Sequence, residues 1–255
     1  GREAFPLAGD EDETVSLSAN YETAQGAETA SVDVVVPKVQ VAMLPLVEQD
    51  FESTPIGELP VEQNGTWARG GATELHNKAI GVAEDSTGNK VMAINNVGLG
   101  TSTGDNLFSY LTVNTSSYNT VEIEYDAAIY QGASSTWYAA GNSFNKDTII
   151  RTWYSLNAAG QAVLQVQGEK SASDTSTSFT LAEKKNRIKT ILHQPDAAVG
   201  TIEVSVNGGE MKTLKNNKLW IAGAKFSTIP FGTLRGTEIN IEIDNLVIRV
   251  EQDPR

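Results

Sequence analysis

Three carboxylates stand at alternate positions in Thr120–Tyr130, TVEIEYDAAIY. On an extended strand Glu122, Glu124 and Asp126 share one face with Tyr130, while Val121, Ile123, Tyr125, Ala127 and Ile129 take the other. Side chains two apart lie roughly 6.6 Å from each other along a strand, within the ~5–9.5 Å that separates the carboxyl pair of a glycoside hydrolase. The same acids also read as the solvated face of a half-buried strand.

Aromatic residues offer a different chemistry. In Ile149–Ser155, Arg151 and Trp153 alternate with Ile150, Thr152 and Tyr154, and Trp137-Tyr138 follows the loop Gly132–Thr136. An aromatic face packs on the apolar C–H surface of a sugar, and amides or carboxylates bond its hydroxyls. Trp137, Tyr138, Arg151 and Trp153, with Glu122, Glu124 and Asp126, are the candidate ligand-binding residues. Trp67 and Trp220 are expected in the core. A third set, Asp50, Glu52 and Asp244, supplies hard oxygen ligands of the kind a cation needs. No catalytic residue is assigned. There is no Ser-centred elbow, Gly-rich phosphate loop or His-metal spacing, and His193, in LHQPD beside Gln194, is a lone histidine at a strand end.

Composition narrows the partners. The formal net charge is −13, from 32 acidic and 19 basic residues. Nucleic acid and anionic membrane surfaces need clustered Lys and Arg, so neither is an expected partner; a neutral glycan or a bound cation is compatible. Cysteine is absent, which excludes disulfides, thiolate metal sites and a Cys nucleophile. No apolar run approaches a membrane span. A chain opening at Gly1 without Met is expected to be part of a larger multidomain protein, and the lack of cysteine fits a secreted or cell-surface one.

The elements that would position these residues are strands. Val15, Leu17, Ala19 and Tyr21 alternate with polar residues, and alternation resumes at Val32, Val34 and Val36 after Gly26, which predicts a hairpin over Thr14–Pro37. Val39–Gln49 reads as a linker, giving an N-terminal segment 1–48 and a main domain 49–255. Strands are expected over Leu107–Val113, Thr120–Tyr130, Thr148–Leu156, Gln161–Gln167 and Thr201–Val206, with another in GNKVMAIN. Turn chemistry such as Asn207-Gly208-Gly209 separates them. LAEKKNRIKTIL fits a helical stripe as well as alternation; Asn186–His193 is assigned to a strand. In Gly236–Val250 the apolar set runs Ile239, Ile241, Ile243, then Leu246, Ile248, Val250. That slip of one at Asp244-Asn245 predicts a bulge in a long closing strand. The fold class is an all-β antiparallel sandwich.

The DFE near residue 50, NRIKTILHQPDAAVGTIEVSVNGG and INIEIDNLVI together resemble concanavalin A-like, laminin-G-like jelly rolls. TVSLSANYETAQGAETASVDVVVP resembles the last two strands of bacterial immunoglobulin-like domains. The first resemblance implies a carbohydrate-binding module of an exported bacterial protein, with first and last strands side by side and a structural calcium ion held there by Asp50, Glu52 and Asp244. Jelly-roll endoglucanases carry E-x-D-x-E on one strand, whereas this strand reads E-x-E-x-D. Jelly-roll polysaccharide lyases use Tyr or His with Arg and Gln, for which His193, Gln194 and Arg151 are the available residues. A glycan-degrading hydrolase or lyase, and a structural module of a surface appendage or viral fibre, stand as alternatives.

Overall fold

The structure is a computed structural model, which describes residues 13–36, 42–70, 74–95, 107–131, 137–139, 149–156, 161–167, 176–182, 185–214, 220–233 and 239–251. The chain divides into two compact units, Gly1–Ala42 and Met43–Arg255. The first contains β1 (Glu13–Thr23) and β2 (Gly26–Val36), an antiparallel hairpin in full register from Thr23↔Gly26 to Glu13↔Val36. Leu17 pairs with Val32 and Val15 with Val34.

The second unit runs β3 (Met43–Gln49), β4 (Gly65–Arg69), the short helix α1 (Glu74–Lys78), β5 (Ile80–Glu84), β6 (Lys90–Asn95), β7 (Leu107–Val113) and β8 (Thr120–Gln131). It continues with β9 (Trp137–Ala139), β10 (Arg151–Leu156), β11 (Ala162–Gln167), β12 (Ser176–Thr180), β13 (Asn186–His193) and β14 (Thr201–Val206). The last elements are β15 (Lys212–Thr213), β16 (Thr228–Thr233) and β17 (Ile239–Glu251). They form a seven-stranded sheet, β12-β11-β10-β9-β16-β7-β4, and an eight-stranded sheet, β15-β14-β13-β8-β17-β6-β5 with β3 also on β17. Every pairing is antiparallel. This is an all-β antiparallel sandwich.

The ambiguous stretch is a strand because Ile188, Thr190 and Leu192 are buried while Arg187, Lys189 and Ile191 are only partly so, period two and not 3.6. The linker expectation for Val39–Gln49 needs correcting, since Met43–Gln49 is β3. Its apolar set is thin, with only Val47 buried, and its place comes from the long closing strand. One edge of β17 lies along β8; the other is shared, with Asn240–Ile243 on β6 and Leu246–Glu251 on β3. A strand of 13 residues thus offers backbone groups that a shorter β6 cannot fill.

The bulge falls where the phase slips. Asp244 pairs with Asp126 and Val247 with Glu124, three steps on β17 against two on β8, and Asn245 has φ of 48°. Ile241, Ile243, Leu246, Ile248 and Val250 therefore all face the core. Between the sheets Tyr125 meets Phe231 edge-on at 5.2 Å, and Phe231 stacks on Trp67 at 6.3 Å. Trp67 and Trp220 are both buried, as expected. No helix among the described residues is long and apolar enough to cross a membrane.

Candidate functional site

The acids of β8 point away from the core on the eight-stranded sheet, into a lattice of opposite charge. On neighbouring β13, Lys189 lies 2.7 Å from Glu122, and Arg187 lies 3.0 Å from Glu124 and 3.3 Å from Asp126. From β17, the Arg249 guanidinium donates to both Glu122 and, at 3.0 Å, Glu124. The hydrogen bond from Arg187, with Arg249 beside it, holds the Glu124 carboxyl below the usual glutamate range. Glycoside hydrolysis asks one carboxyl to keep its proton near neutral pH. Cross-strand pairing does the opposite to Glu124, and Glu122 and Asp126 are each engaged by a cation from a neighbouring strand.

The candidate cation ligands sit apart from an opening strand. Asp50 and Glu52 lie in the turn after β3, where Asp50 Oδ1 accepts the Glu52 N–H at 3.1 Å and Glu52 Oε1 accepts the Lys90 N–H at 3.0 Å. Asp244 is buried at the bulge. It accepts from Lys185 Nζ, from Asn89 Nδ2 at 3.0 Å and from its neighbour Asn245. The Asn245 carbonyl, turned out by the bulge, accepts from Arg187 Nη1 at 3.1 Å. First and last strands do adjoin, but a lysine and an arginine face the oxygens there. Among the described residues no group of three or more His, Asp or Glu is placed to hold a metal ion.

A second constellation lies on the outward face of the seven-stranded sheet. Register places Trp153 opposite Tyr138 on one side and Gln165 on the other. Tyr138 is in turn opposite Gly232, and Gly232 opposite Phe108. Gln165 adjoins Ser178, so one cross-strand row reads Ser178, Gln165, Trp153, Tyr138, Gly232, Phe108. The face follows from neighbours: Thr152 is buried, and the partners of Thr152 and Tyr154, namely Val166 and Leu164, are fully buried. Gln165, between these two buried residues of β11, alternates to the outward face. Trp137 pairs with Tyr154, and Ala139 with buried Phe231.

Of the sequence candidates, Tyr138 and Trp153 are register partners and Arg151 stands two positions from Trp153 on β10, while Trp137 is the partner of Tyr154. Phe108, at the end of the row, is only 3% exposed and packs on Tyr110 with ring centroids 5.6 Å apart, so it closes the row without a free face. Gly232 is part of the row for a steric reason: a Cβ there would fall 2.2 Å from the Phe108 ring and 2.2 Å from the Leu107 carbonyl. At about 4.8 Å per strand, Gln165 to Phe108 spans roughly 19 Å across the strands.

The lyase expectation meets a different arrangement. Gln194 is fully buried, donating from Nε2 to the carbonyls of Thr115 at 3.0 Å and Tyr118 at 2.9 Å while Oε1 accepts the Phe226 N–H at 2.8 Å. It has no amide hydrogen or face left for a substrate carboxylate. Arg151 stands on β10 in the seven-stranded sheet and His193 on β13 in the eight-stranded one.

No family model and no curated protein matches the sequence. Solved structures do. A conserved carbohydrate esterase from the Shiga toxin-encoding bacteriophage phi24B superposes with a TM-score of 0.53 at 11% identity, over 83% of this chain and 100% of that one. An alginate lyase in complex with an alginate trisaccharide gives 0.47 at 14% identity, over 72% of this chain and 88% of that one. Botulinum neurotoxin type C, whose cell entry depends upon interaction with two ganglioside molecules, gives 0.49 at 16% identity; the match covers 84% of this chain but only 49% of the toxin chain. At such identities the likeness is one of fold alone, and it agrees with the all-β antiparallel sandwich of the main unit.

Proposed function

We propose that this chain is a non-catalytic carbohydrate-binding module of a secreted or cell-surface bacterial protein, with the outward row of the seven-stranded sheet as its glycan platform. The observation that carries the reading is the register that sets Trp153 beside Tyr138, with Gln165 on the other flank. Two aromatic residues on neighbouring strands suit the apolar face of a sugar, and Gln165 and Ser178, next in the same row, supply hydrogen-bonding groups. Net charge of −13 favours a neutral glycan over an anionic one. The shared fold is compatible with binding and with catalysis alike, since sites and not folds decide function.

The test is a glycan array followed by titration with soluble neutral oligosaccharides, run beside assays for reducing ends and for unsaturated uronate products. Binding of a neutral glycan, weakened by Trp153→Ala or Tyr138→Ala, is the expected result. Release of either product would establish the glycan-degrading alternative, and no binding with no product leaves the structural-module reading in its place.

A further inference from the structure

A concavity unrelated to the aromatic row lies at one end of the eight-stranded sheet. Its floor is a cross-strand row on the outward face, Thr120 on β8, His193 on β13 and Thr201 on β14. Asn119, Pro195 and Val199 contribute to the walls. The volume is about 390 Å³, within the roughly 300–1,000 Å³ of small-molecule sites.

The frame around it is tied down. Buried Gln194 bolts the loop before β8 to the segment before β16 through its three bonds, and Lys225 Nζ binds Asp196 at 2.9 Å. Gly200 sits where a Cβ would fall 2.1 Å from the His193 carbonyl and 2.4 Å from the Trp220 ring, so the chain closes on Trp220 without a side chain. Trp220 is itself buried and donates from Nε1 to the Ala224 carbonyl at 3.1 Å. A pocket held by saturated buried groups keeps its shape without a ligand, which lowers the cost of binding one.

Charge selects the occupant. An anion would face two carboxylates, Asp196 on the rim and Glu203 next to His193. A cation would find both already engaged, Asp196 by Lys225 and Glu203 by His193 Nε2 at 3.2 Å. What remains on offer is uncharged: the Thr201 hydroxyl, the Thr120 hydroxyl with its long 3.5 Å contact to His193 Nδ1, the Asn119 amide and the apolar surfaces of Pro195 and of Val199, which is 47% exposed. Hydroxyls and an amide around a small apolar patch complement a ring with one C–H face and several hydroxyls. We infer that this end pocket is a second ligand site, taking a single neutral sugar or similar polyol. It is independent of the platform reading.

The experiment is an NMR titration of the whole chain with glucose, galactose, mannose and N-acetylglucosamine, each taken through the millimolar range, with glucuronate and calcium chloride as charged counterparts. One of the neutral sugars should shift the amide signals of residues 119–120 and 193–201. Val199→Trp, which fills the pocket from an exposed position, should weaken that response at least tenfold, and Thr120→Ala should weaken it too. Trp153→Ala should leave it unchanged even where it abolishes binding of a longer glycan, which separates the two sites. The inference is overturned if none of the four sugars shifts those amides. Preference for glucuronate or calcium, or a Val199→Trp protein that is folded and still responds fully, overturns it as well.

Discussion

The outward faces of the two sheets arise from the same alternation and reach opposite chemistry. On the eight-stranded sheet each acid of β8 has a cation across a ladder, so Glu122, Glu124 and Asp126 spend their acceptor capacity on Lys189, Arg187 and Arg249. On the seven-stranded sheet the corresponding row is made of rings, a glycine and amide or hydroxyl groups. Cross-strand partners decide which face can meet a ligand. A paired carboxylate must be stripped of its cation before it can serve substrate, whereas an exposed aromatic ring needs only to shed water. Counting acids on a strand finds the first face; only register finds the second.

Arg249→Met should break the lattice most severely. It withdraws a guanidinium that bridges two carboxylates, one of them on a residue only 7% exposed. Leaving a buried charge unpaired costs roughly 3–5 kcal/mol. Here Lys189 still holds Glu122 and Arg187 still holds Glu124, and the Arg249 side chain is 31% exposed, so a smaller loss of about 2 kcal/mol is expected. Chemical denaturation measures this, and glycan affinity should be untouched. A loss below about 0.5 kcal/mol, the size of an ordinary surface pair, would mean that the lattice is ornamental.

Trp153→Ala should show the mirror image. Truncating a stacking ring at a binding centre is expected to cost about 2 kcal/mol in affinity, in the range of hot-spot residues. Under the platform reading, stability should change little. Lost stability with unchanged affinity would turn the row inward and merge the two faces of the comparison.

Acid titration distinguishes the faces without a mutation. Arg187 and Arg249 depress the folded-state pKa of Glu124 below its unfolded value. Its contribution is thus complete above the ordinary glutamate range, and it drains away as the pH falls through the lowered value. Equilibrium stability measured downward from pH 6 should fall in that acid window, and Glu124→Gln should flatten the fall. An identical slope in the variant would show that the ion pairs carry none of it.

Much of this architecture was legible. β7, β13 and β14 match their expected limits residue for residue, because each pairs a clean period of two with turn chemistry at its ends. The bulge at Asp244-Asn245 was legible for the same reason, as a phase slip has no other economical reading in a strand. β3 was not. MLPLVEQ carries Pro45 and little alternation, and it is a strand only because the far half of β17 has an open edge. The row around Trp153 was half legible. Trp153 and Tyr138 could be picked out by residue type, but their adjacency depends on strand order β10-β9-β16-β7, which no local pattern encodes. The surroundings of Asp244 were illegible for the same reason: Lys185 and Arg187 are far from it in sequence and stand beside the bulge in the sheet.

The smallest expected effect lies on the eight-stranded sheet where the lattice runs out. Glu242 on β17 is outward-facing and only 8% exposed, and it has no cation of its own among the described residues. Burial raises its carboxyl above the usual glutamate range, partly offset by hydrogen bonds from Asn240, at 2.9 Å, and from Tyr130. A folded-state value above the unfolded one means that the native chain binds this proton more tightly. Its effect on stability is therefore favourable only at low pH, and it turns into a penalty as the pH rises through the raised value. Glu242→Gln keeps an acceptor for Asn240 and removes the charge. It should stabilise the protein at pH 7 by about 0.5 kcal/mol, a fraction of what an unpaired buried charge costs because two hydrogen bonds already offset it. The gain should vanish below pH 4, where wild-type Glu242 is itself protonated, and glycan affinity should not move. Equal stability of the two proteins at both pH values would show that this acid is as well neutralised as Glu124, extending the lattice one row further along β17.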